Sequence, residues 1–189
     1  METQTQQPVV RNGVDVGQLM TAIESVKQDT ANGKLTFTVK TDWKGGFKAK
    51  HTTSAYVVGK ERAEHQKNYT LETDEPREIL GGDSGISPAE TMISSLAACL
   101  SVGYAANAAA MGIDIDELKF EITGNGNLAG FMAIGDKRPG LTDISIKALV
   151  KSKAPAAKLT ELHDYVNKHS PIWDTISNPV KVTSQIQKT

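Results

Sequence analysis

Gly81-Gly82-Asp83-Ser84-Gly85-Ile86-Ser87-Pro88-Ala89-Glu90, running on to Ser95-Leu96-Ala97-Ala98-Cys99, is the stretch that decides the fold. Its first half belongs to a turn-rich segment from Asp74 to Ser87. Ser87 can cap a helix with its hydroxyl, and the missing N–H of Pro88 costs nothing at a first helical position. The spacing therefore predicts a helix from Pro88 to about Met111, stopped by Gly112. Met92, Leu96, Cys99, Gly103, Ala106 and Ala110 step by three and four along one stripe, and Ala and Ser fill much of the rest. Such a helix is buried on most sides, and its small residues admit a close neighbour.

Working outward, residues 1–12 are polar and end in Asn12-Gly13, so they read as a tail. Residues 13–33 form an N-terminal helix, because Val16, Leu19, Met20, Ile23 and Val26 recur at helical spacing before Asn32-Gly33. Residues 34–189 form the main domain. Lys34 to Val58 alternates apolar and polar residues around Gly45-Gly46, as a hairpin does, and another strand is expected over Lys67 to Glu72. Leu118 to Ile122 and Ile144 to Val150 alternate strictly, as two half-buried strands. The glycine-rich connection between them, Gly124 to Leu141, is long enough to be a functional loop or lid. Ala154-Pro155 opens a helix carrying Leu159, Leu162 and Val166, Ser170-Pro171 opens a short one with Trp173, and Val180 to Ile186 is expected as a last strand. The fold class is α+β.

Composition narrows the function classes. The net charge is −1, and four arginines (Arg11, Arg62, Arg77, Arg138) do not form the clustered cations that a nucleic-acid backbone needs. The run Met92 to Met111 holds Ser, Gly and Asn107 and is expected to fall well short of a membrane span. The start of the chain has neither the basic residues nor the apolar stretch of a secretory signal, and one cysteine makes no internal disulfide. A cytoplasmic protein is the expectation. No metal-ligand spacing surrounds His163 or His169, and no dinucleotide-type glycine pattern appears, so no metal and no cofactor are expected. His169, Ser170 and Asp174 lie too close in sequence for a hydrolytic triad. Trp43 and Trp173 read as core or interface anchors.

Glu75-Pro76-Arg77-Glu78-Ile79-Leu80-Gly81-Gly82, with Gly85 to Glu90 and the cysteine eleven residues after Pro88, resembles the central signature of the OsmC/Ohr family of thiol-dependent stress proteins. The order of elements agrees with it over roughly residues 34–186. The resemblance implies an intertwined homodimer, with antiparallel sheets from both chains around the long central helices. It also implies a reactive Cys99 that reduces organic hydroperoxides.

Two departures stand beside the resemblance. His169-Ser170-Pro171 occupies the place where the family's peroxidases carry a second cysteine before the proline, so two-cysteine chemistry is excluded within one chain. An external thiol would have to act as reductant. Gly45-Gly46 is followed by Phe47 and Lys48 rather than by the activating arginine; Arg77, Lys48 and Arg62 are the substitutes, Arg77 preferred. Glu90 matches a family glutamate, yet it lies about 13 Å along the helix from Cys99, so it acts across the dimer or only as a first-turn acid. The candidate catalytic residues are thus Cys99, Glu90 and Arg77. Two functional readings stand: a one-cysteine hydroperoxide reductase, or a non-catalytic fold binding a small apolar ligand at the dimer interface. Cys99 as a small buried hydrophobe is the plain alternative to both roles.

Overall fold

The computed structural model describes residues 8–188, and its fold is α+β. The described residues divide into two compact units, one of residues 8–10 and 15–93, the other of residues 11–14 and 94–188. The expected tail falls mostly on residues 1–7, which lie outside the described residues. Val10–Arg11 forms a short strand (β1) instead of tail, and Val14–Asp15 another (β2). Asn12 (φ 52°) and Gly13 (φ 77°) turn the chain between them, both in the left-handed region that a two-residue hairpin turn requires.

In the first unit, helix α1 spans Val16–Gln28, and the Asp15 carboxylate caps it by accepting the Gln18 N–H. A 3-10 turn, Thr30–Gly33, follows. The stretch expected as one hairpin is split between two sheets. β3 (Leu35–Thr36) pairs with β6 (Tyr56–Val58), which pairs with β7 (Glu61–Ala63). β4 (Val39–Trp43) pairs with β5 (Ala49–Thr53) around the expected Gly45-Gly46 turn, and β5 pairs with β8 (Thr70–Thr73). All pairings are antiparallel. In the β4–β5–β8 sheet Val39, Thr41, Trp43, His51 and Leu71 share one face, and Lys40, Asp42, Lys50 and Glu72 the other. Thr41 and Thr73 each hydrogen-bond one ring nitrogen of His51, at 2.9 and 3.0 Å. No apolar side chain is buried among the described residues of this unit.

Helix α2 runs Pro88–Ala110. It ends as expected: Ile113 N–H donates to the Ala108 carbonyl and Gly112 N–H to that of Ala109, with Gly112 at φ 73°. By length and composition alone this helix is apolar enough to cross a membrane, with a mean hydropathy of 1.3 over its best window, contrary to the expectation from its Ser and Gly content. What it does in the second unit is form the core. Leu96, Leu100, Tyr104 and Ala108 are buried with Ile113, Leu162 and Val166.

β9 (Glu117–Asn125) and β10 (Asp143–Lys151) form one antiparallel hairpin whose side chains alternate between half-buried and exposed along both strands. Leu118, Phe120, Ile144, Ile146, Ala148 and Val150 pack against that core. Between the strands, α3 (Leu128–Phe131) interrupts the long connection, which leaves Phe131, Met132 and Ile134 exposed. Helices α4 (Ala156–His169) and α5 (Pro171–Ser177) complete the unit. The expected strand at Val180 to Ile186 does not form; Val182 and Ile186 are exposed, and a strand without a partner ladder has nothing to hold it.

Candidate functional site

Three contacts set α2 against α4 in antiparallel register. A Cβ on Gly103 would come within 2.8 Å of a Val166 methyl, so the helices approach as closely as they do only because that residue is glycine. The Tyr104 hydroxyl meets His163 Nδ1 at 2.6 Å, and Asn167 meets His163 Nε2 at 2.9 Å. Tyr104 is buried, and desolvation, helped by the charge of Asp164, pushes its hydroxyl up to about 12. One helical turn back along α2, the Ser170 hydroxyl donates to Cys99 Sγ at 3.2 Å.

Cys99 is half-buried, whereas Leu96 and Leu100 on either side of it are buried in the core. Its sulfur thus lies on the flank of the helix. Ser170 is 5% exposed and has two roles. It caps α5, accepting the Trp173 N–H at 3.3 Å as the sequence suggested, and it also faces the thiol, which sequence reasoning missed. The only signal for that second role was its place before Pro171. Trp173 packs half-buried against the core, while Trp43 is 75% exposed and donates its ring N–H to the Gly46 carbonyl.

The other two candidate residues lie in the first unit. Glu90 closes a reciprocal capping box at the start of α2: its carboxylate accepts the Ser87 N–H at 2.9 Å, and its own N–H donates to the Ser87 hydroxyl at 3.2 Å. The Ser87 side-chain and backbone hydrogen bonds hold its carboxyl below the usual range. Arg77 is exposed in a 3-10 turn, Arg77–Ile79. Of the substitute cations, Lys48 is exposed beside Gly82, and Arg62 lies on β7.

The loop carrying Arg77 is organised by a residue that was not singled out from sequence. Asp74 is 1% exposed, and its carboxylate accepts the N–H groups of Glu75, Gly82 and Ser84 and the Ser84 hydroxyl, the last at 2.7 Å. The Ser84 hydroxyl, with the three amides, lowers it to about 2 against the opposing effect of burial. A Cβ on Gly81 would overlap the Glu75 carbonyl, so the signature's glycines are there for close packing of the loop on itself. An aspartate just ahead of several Gly and Ser N–H donors was the available signal. Among the described residues no group of three His, Cys, Asp or Glu side chains could hold a metal ion.

Fold and thiol together define the class: an α+β protein with its single cysteine on the central core helix. The profile of the OsmC-like protein family matches residues 81–185, more than half of the chain, and the protein belongs to that family. No curated protein sequence matches it. Among solved structures it is similar to the OsmC-like protein of Mycoplasma pneumoniae (21% identity, covering 77% of this chain and 89% of that one, TM-score 0.56). It is also similar to an OsmC-like protein of Vibrio cholerae (10%, 74% and 92%, 0.52) and to an organic hydroperoxide resistance protein of Legionella pneumophila (14%, 75% and 88%, 0.50).

Proposed function

We propose that the protein is a one-cysteine, thiol-dependent reductase of organic hydroperoxides acting as a homodimer, with Cys99 as its reacting residue. The carrying observation is the position of Cys99: half-buried beside a hydroxyl donor, between two helix neighbours that are buried. Family membership and the hydroperoxide-resistance relative from Legionella pneumophila support the same reading. In the reaction, the Cys99 thiolate attacks the distal peroxide oxygen; an S–O bond forms, the O–O bond breaks, and the alkoxide takes a proton and leaves as alcohol. The sulfur, oxidised by two electrons, is then a sulfenic acid. An external thiol condenses with it, releasing water, and a second thiol displaces the protein as free Cys99. Ser170 cannot form the internal disulfide that a second cysteine would.

The uncovered apolar face of β4–β5–β8 supports the homodimer. Val39 is 57% exposed and Leu71 41%, and a sheet face of that kind needs another layer over it. A second copy of the chain is the layer the family architecture offers. The test is consumption of cumene hydroperoxide with dithiothreitol as reductant. Wild-type protein is expected to turn over, and Cys99→Ser to fall to the uncatalysed rate. Turnover that survives Cys99→Ser removes the reading and leaves a binding role for the fold.

A further inference from the structure

We infer that Ser170 is a second functional residue of the Cys99 site, its hydroxyl being the hydrogen-bond donor that favours the thiolate. The inference rests on the reading of Cys99 as a reactive thiol and adds what activates it. A mid-helix cysteine receives nothing from the positive end of its own helix, so a donor must come from elsewhere. Among the described residues the hydrogen-bond partner of the sulfur is Ser170 Oγ, at 3.2 Å, and not a cation.

The donor is held in place on every side. Ser170 ends α4 and begins α5, its carbonyl accepts the Asp174 N–H at 3.0 Å, and its hydroxyl oxygen accepts the Trp173 N–H. An oxygen already receiving one N–H has a single hydrogen left to give, and the sulfur is the acceptor it meets. The Gly103 to Val166 approach and the Tyr104 to His163 bond fix the distance between the helices that carry the pair. Ser170 is buried, so water does not compete for that hydrogen as it would at the surface. A hydrogen bond to the charged form favours that form, and here the charged form is the nucleophile. The same residue that excludes an internal disulfide thus supplies activation.

The experiment is the pH profile of Cys99 alkylation by iodoacetamide in the full-length protein, for wild type, Ser170→Gly, Ser170→Asp and Ser170→Thr. Glycine is nearly as good an N-cap as serine, and aspartate caps as well as serine does, so both keep the helix while removing the donor. Loss of one hydrogen bond to a charged group predicts alkylation about tenfold slower at neutral pH in Ser170→Gly. Ser170→Asp is slower still, because it adds a like charge, and Ser170→Thr keeps the wild-type profile. Profiles of the Gly and Asp variants that superimpose on a fast wild type overturn the role of Ser170 alone. A wild-type thiol no faster than free cysteine overturns the underlying reading of Cys99.

Discussion

Two antiparallel sheets in this chain carry similar alternation and end in opposite states. In the β9–β10 hairpin of the second unit, Leu118 and Phe120 of one strand and Ile144, Ile146, Ala148 and Val150 of the other pack against a core that includes Leu96, Leu100, Tyr104, Leu162 and Val166. In the β4–β5–β8 sheet of the first unit the polar face is as well formed, but Val39, Trp43 and Leu71 on the other face stay exposed. Alternation therefore reports that a face is meant to be covered, and says nothing about what covers it. One unit contains its own core; the other leaves the apolar face of a sheet exposed.

The largest effect should come from charging the uncovered face. For the homodimer proposed above, Val39→Asp with Leu71→Asp is expected to give monomer in size-exclusion chromatography with light scattering, while Ser145→Asp on the exposed row of β10 leaves the wild-type state unchanged. A dimer that survives the double substitution breaks the comparison. Next comes the core that the second unit holds by itself. Leu100→Ala, at a 1% exposed position, should cost about 3 kcal/mol in denaturant unfolding, with the cost present at any protein concentration.

A smaller effect belongs to the loop of the first unit. Asp74 titrates at about 2 in the fold, below its unfolded value of about 4, so its contribution to stability is present above about pH 4 and is lost as pH falls through about 2. Thermal melts of wild type should decline through that window, and those of Asp74→Asn should lack this part of the decline. Equal slopes for the two proteins would remove Asp74 from its place as organiser of the loop.

The same contrast explains what could be read from the chain. Elements whose cause is local were legible: the Ser87-Pro88 start of α2, its Gly112 stop, the Gly45-Gly46 turn and the alternation of Leu118 to Ile122 and Ile144 to Val150. What failed depends on partners far away in sequence. Leu35–Thr36 and Val39–Trp43 belong to different sheets because their pairing strands, Tyr56–Val58 and Ala49–Thr53, differ, and no local pattern marks that break. Val180 to Ile186 has the residues of a strand and no ladder to join. At the site, Cys99 was readable from its spacing after Pro88, and Ser87 as the helix cap with Glu90 as a first-turn acid. Ser170 facing the sulfur was not, since the pair lies 71 residues apart and meets only when α2 packs on α4.

The most direct test of the central claim is mass spectrometry of the reduced protein after brief exposure to cumene hydroperoxide, with dimedone present to trap sulfenic acid. The account predicts rapid, selective labelling of Cys99, faster than for a free cysteine under the same conditions. Labelling no faster than that of free cysteine would contradict it.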